Sequence, residues 1–158
     1  MSKAKSATAP AVKPGADSVL PMESFFTRER ANEGIDLPLA LPDGTPTKHS
    51  IRIRGVDSDA FRAAEAESHR RVMNTKAKEL ATNPAAMSQL MADARLDVLG
   101  ALVITWTFDQ PPSKENVVKF LKQAPQIADM IDQLASRRAL FFTKGSSPSS
   151  TTPASSST

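Results

Sequence analysis

The sequence predicts a mainly α-helical fold with a small N-terminal β-hairpin: an α+β chain in which about four helices form a compact bundle between disordered ends. Three observations predict it. Residues 35–56 alternate apolar with polar or small side chains on either side of the turn Pro42-Asp43-Gly44-Thr45. Four later stretches, about 58–81, 85–107, 114–123 and 126–142, carry helix starts or apolar residues at three- and four-residue steps. The flanks 1–21 and 143–158 are rich in Ala, Ser, Thr and Pro, with little to bury.

The leader, 1–21, is expected to be disordered, because Pro10, Pro14 and Pro21 interrupt any helix. A single domain then covers 22–142. Phe25-Phe26 is expected to dock two rings on the core, the alternative being a hook for a partner. Ile35, Leu37 and Leu39 alternate with Asp36, Pro38 and Ala40. Pro38 has no amide hydrogen, so this strand belongs at a sheet edge. In the turn, Pro presets φ, Asp bonds the local backbone and Gly44 accepts positive φ. Ile51, Ile53 and Gly55 share one face of the second strand and Arg52 and Arg54 the other, which makes a hairpin with one wet face.

Asp57, Ser58 and Asp59 offer caps for a helix over about 58–81. Phe61, Val72, Met73 and Leu80 give it only a thin apolar stripe, so it should lie outside or be covered by a partner. Asn83-Pro84 opens the next helix, with Met87, Leu90, Met91, Ala94 and Val98 at helical spacing. The run 98–106 is apolar on all faces apart from Gly100 and Thr105, and is expected to be a buried axis. The β-branched Val103, Ile104 and Thr105 admit a strand instead. Length and the Asn-Pro start favour a helix to 107. Asp109-Gln110-Pro111-Pro112 stops it. Ser113 caps a helix with Val117, Val118, Phe120 and Leu121. Pro125 opens the last, with Ile127, Met130, Ile131, Leu134 and Phe141, and with Arg137 and Arg138 near its C-terminal dipole. Residues 143–158 form an expected disordered Ser/Thr/Pro tail.

Composition narrows the function classes. With 158 residues, one domain is the default. There is no cysteine, hence no disulfide framework and no thiolate metal site. Net charge is +3, from 20 Lys and Arg against 17 Asp and Glu. No apolar run is long enough to cross a membrane. Lys3 and Lys5 are not followed by an apolar core, so no secretory signal is expected and the chain should be soluble and intracellular.

Catalytic patterns are missing: no GxSxG, no HExxH and no phosphate loop. His49 and His69 have no evident partner, so no metal site is expected. Asp93 and Asp97 read as a charged helix face. The expectation is a non-enzyme with no catalytic residue, cofactor or metal. Lys48, Arg52 and Arg54 lack an aromatic beside them for base stacking, and no nucleic-acid partner is expected. What remains is a set of aromatic pairs at segment ends: Phe25 with Phe26, Trp106 with Phe108, and Phe141 with Phe142. Each is a candidate core pair and a candidate partner anchor. The six methionines could add adaptable apolar surface.

The chain resembles the tail assembly chaperones of long-tailed bacteriophages. The resemblance rests on Trp106, the turn with Asp109, Pro111 and Pro112, the segment Ser113-Lys114-Glu115-Asn116-Val117, Phe120-Leu121, Pro125-Gln126-Ile127, Ile131, Arg138 and Phe141. Upstream, Ala31-Asn32-Glu33-Gly34 and Arg54-Gly55-Val56-Asp57-Ser58 are similar to the front of longer members. The resemblance implies a non-enzymatic protein of the host cytoplasm, absent from the mature virion. It would bind the tape measure protein and assist assembly of the tail tube protein around it, with self-association left open. It also implies that a longer, frameshifted form could diverge near the Ser/Thr tail. Two other functions stay open: a structural tail or baseplate component, and a small DNA-associated regulatory protein.

Overall fold

Strand β1 (Ile35–Ala40) and strand β2 (Pro46–Ile53) pair antiparallel around the predicted turn, with Leu37 opposite Ile51 and Ile35 opposite Ile53. The computed structural model describes residues 19–79 and 83–143. The expectations for the leader up to residue 18, for the helix end at 80–81 and for the tail from 144 onward lie outside the described residues. In the turn, Gly44 takes φ +87° and the Thr45 amide donates to Asp43 Oδ1 at 2.9 Å. Ile35, Leu37 and Leu39 are buried, whereas Asp36, Pro38 and Ala40 face out. β1 lies at the sheet edge, as Pro38 requires. Across the wet face, Arg52 pairs with Asp36 at 2.8 Å.

The sheet has a third strand. Helix α3 (Pro84–Gly100) ends at Gly100, Ala101 and Leu102 turn, and β3 (Val103–Trp106) runs antiparallel to β2 in the order β1-β2-β3. The expected helix over 85–107 is therefore corrected, and 98–106 is not a buried axis: Leu99, Leu102 and Val103 are buried, but Trp106 is half-buried and Thr105 exposed. The reason is the pairing with β2. Ile51 faces Trp106 and Ile53 faces Val103, so the strand bulges where Ile104 and Thr105 together oppose Arg52. The bulge sets the two core-facing residues three apart, the spacing that also marks a helix.

Helix α1 (Arg28–Glu33) precedes β1, and α2 (Asp59–Glu79) follows β2. The three predicted caps have separate tasks. Ser58, fully buried, accepts from the Phe61 amide at 3.4 Å. Asp59 is held by Asn32, whose Nδ2 donates to its carboxylate at 2.8 Å and whose Oδ1 accepts from its amide at 2.9 Å. Asp57 turns toward the C-terminal segment. α2 lies against α3, linked by Arg71 and Asp97 at 2.6 Å. Asn83 caps α3 through the amides of Ala85 and Ala86.

Helix α4 (Lys114–Gln123) is capped by Ser113, which accepts from the Asn116 amide at 3.3 Å. Helix α5 (Pro125–Ala135) buries Ile127, Ala128, Ile131 and Ala135. The expected helix over 126–142 is corrected too: it stops at Ala135, and a short 3-10 turn, Arg138–Phe142, follows. The Ser136 hydroxyl donates to the Asp132 carbonyl at 2.8 Å, and the redirected chain carries Arg138 to Asp57. Arg138 thus meets a carboxylate instead of resting on the helix dipole. Ile51, Ile53, Leu102, Val117, Leu121 and Ile131 form the centre of the core, where the sheet meets α3, α4 and α5.

Candidate functional site

Two junctions between distant segments gather candidate residues. At the first, Gly55 and Asp57 meet Arg138 and Phe141. A Cβ at Gly55 would lie 3.1 Å from Ala31 Cβ and 3.3 Å from the Phe141 ring, so the small residue lets three segments close. The Val56 amide donates to the Ala135 carbonyl at 3.2 Å. Arg138 Nε and Nη2 donate to the two Asp57 oxygens at 2.6 and 2.9 Å. Arg62 reaches the same carboxylate at 3.5 Å. The Arg138 hydrogen bonds are the main cause holding the Asp57 carboxyl below the usual carboxylate range. Asp57, Arg138 and Phe141 therefore bind segments of the fold together. Phe141, a candidate anchor from the sequence, is only 7% exposed and belongs to the core.

The second place is an aromatic groove. Trp106, at the end of β3, meets Phe108 with ring centroids 5.3 Å apart and Phe120 of α4 at 5.6 Å, both edge-on, and Phe108 meets Phe120 at 5.2 Å. His49 of β2 lies 4.8 Å from the Phe108 ring, with Nδ1 3.1 Å from Thr107 Oγ1. The loop between β3 and α4 is tied down by Trp106 Nε1, which donates to the Gln110 carbonyl at 2.6 Å, and by Asn116 Nδ2, which donates to the Pro111 carbonyl at 3.0 Å. The open groove beside the rings has a volume of about 350 Å³, lined by Trp106, Phe108, Gln110, Asn116, Lys119, Phe120 and Gln123.

Trp106 and Phe108 stand out in the sequence as candidates, whereas the α4 contribution does not. Asn116, Lys119, Phe120 and Gln123 fall at i, i+3, i+4 and i+7, one helical face, so the signal was present. Only the packing of Trp106 on that face makes it a groove wall.

Phe25, Phe26 and Phe142 are 72%, 54% and 45% exposed. The expectation that the pair at 25–26 docks on the core is corrected: both rings are at the surface, Phe25 as the last residue of the short 3-10 turn Met22–Phe25 and Phe26 just after it. The pair at 141–142 divides, one ring in the core and one out.

The charged candidates have structural partners. Asp97 binds Arg71 and, at 3.6 Å, Lys114, while Asp93 accepts from Gln89 at 2.9 Å. Arg52 also donates to the Glu33 carbonyl at 3.1 Å, and Arg54 to the Ala101 carbonyl at 3.2 Å. Among the described residues, no group of three or more His, Asp or Glu side chains is placed to hold a metal ion. Among the described residues no helix is long and apolar enough to cross a membrane. The arrangement offers apolar and hydrogen-bonding surface.

Comparisons with protein-family models, with curated proteins and with solved structures give no match to this chain.

Proposed function

We propose that this chain is a non-enzymatic tail assembly chaperone of a long-tailed bacteriophage. It binds the tape measure protein in the host cytoplasm, keeps it soluble while tail tube protein assembles around it, and leaves before the particle is finished. The sequence pattern from Trp106 through Ser113-Lys114-Glu115-Asn116 to Arg138 and Phe141 carries this reading. Surface chemistry supports it. Phe25, Phe26, Phe142, Met73 and Met91 are exposed, and the Trp106 groove is open. Large exposed apolar side chains are favourable where a partner covers them. A long helical protein awaiting assembly exposes apolar stripes that need such a surface.

Co-expression with the tape measure protein of the same phage tests the proposal. The chaperone should move that protein from the insoluble to the soluble fraction and copurify with it, and purified particles should lack the chaperone. Fixed stoichiometry in purified particles would instead establish a structural tail component, a role for which the outer edge of β1, unpaired among the described residues, is suited.

A further inference from the structure

We propose that the Trp106 groove is the seat for one kind of segment: two turns of amphipathic helix, with a large apolar side chain among the rings and a carboxylate one turn away against Lys119. This rests on the functional reading above and assigns the partner's contact to one surface. Length is the first argument. Asn116, Lys119, Phe120 and Gln123 span i to i+7 of α4, about 10 Å of helix, which matches two turns of a partner laid alongside.

Charge is the second. The lining holds three aromatic rings, three carboxamides and one lysine, with no carboxylate. Lys119 is exposed and makes no ion pair among the described residues, whereas its α4 neighbours Lys114 and Lys122 face Asp97 and Asp93. A segment with an acidic flank is therefore complementary and one with a basic flank is repelled. A proline-rich extended segment fits less well. Trp106 Nε1 is already bonded to the Gln110 carbonyl, so its N–H is not open to the carbonyls of an extended segment, which has no internal hydrogen bonds of its own.

The chain itself provides the reporter: Trp106 is the only tryptophan, and there is no tyrosine. The experiment titrates the full chain with overlapping peptides spanning the tape measure protein and reads Trp106 emission. Peptides with an apolar stripe and a carboxylate one turn away should shift the emission to shorter wavelength, saturably. Lys119→Glu should weaken them about five- to tenfold, with an unchanged circular dichroism spectrum. A peptide whose acid is replaced by lysine should recover binding to that variant.

The proposal is overturned if peptides bind without changing Trp106 emission, if Lys119→Glu leaves their affinity unchanged, or if extended proline-rich peptides bind best. If the tape measure protein is captured while any of these holds, the chaperone function stands and the contact lies elsewhere. If neither peptides nor the full-length tape measure protein binds, both proposals fail.

Discussion

Replacing Gly34 by alanine should damage the fold far more than the same change at Gly44. Both glycines have positive φ, +77° and +87°. Their surroundings differ. At Gly44 an added Cβ meets nothing within 4 Å, so Gly44→Ala costs only the backbone preference, about 1 kcal/mol. At Gly34, ψ is 178°, a combination essentially confined to glycine, and its strain in alanine is about 1–3 kcal/mol. The new Cβ would also stand 2.4 Å from the Ile53 carbonyl oxygen and 2.6 Å from Ile104 Cδ1. The first contact must open to at least 3.0 Å. That atom is backbone at the end of the central strand, so it cannot rotate away. Overpacking of this kind adds about 1–3 kcal/mol. Gly34→Ala should therefore cost about 2–6 kcal/mol, a large share of the about 5–15 kcal/mol that holds a domain together. Urea titrations followed by Trp106 emission and circular dichroism would measure both variants. Equal losses at the two positions would refute the close approach of Gly34 to Ile53 and Ile104.

Ile131 is fully buried at the centre of the core, and Ile131→Ala should lower unfolding free energy by about 2–5 kcal/mol in the same assay. The Asp57 carboxyl is held below its ordinary value of about 3.9, so its contribution to stability should be complete above about pH 4 and vanish as pH falls through the lower folded value. Asp57→Asn should remove that part of the acid dependence, so that urea midpoints of variant and parent converge in acid. Phe25→Ser and Phe26→Ser, at exposed rings, should each change stability by no more than about 0.5 kcal/mol. Under the proposed function, the double variant should capture less tape measure protein than the parent chain in a pull-down.

The resemblance motifs become intelligible once the fold is known. Gly34 lets the turn between α1 and β1 pass close to the end of β2, and Asn32 holds the first residue of α2. Gly55, Asp57, Arg138 and Phe141 make one junction. Ser113 and Asn116 tie the loop before α4. Most of the pattern thus consists of contacts that hold this architecture together. The groove was only half legible, because Trp106 and Phe108 are conspicuous in a chain with few aromatics whereas Lys119 and Gln123 read as ordinary helix surface.

The sequence by itself determined what depends on neighbours within a turn or two. The Pro42–Thr45 turn, the caps at Asn83 and Ser113, the proline starts of α3 and α5 and the edge position of β1 all follow from local geometry and hydrogen bonding. Only the tertiary structure decided the rest. Residues 103–106 form a strand because β2 offers them a free edge, and the bulge there disguises the strand as helical spacing. The last helix stops at Ala135, and Arg138 and Phe141 go to partners about eighty residues earlier, a distance at which no local pattern carries information. Phe25 and Phe26 stay at the surface for a related reason: hydrophobicity says that a ring should be covered, and the tertiary structure decides whether this chain covers it.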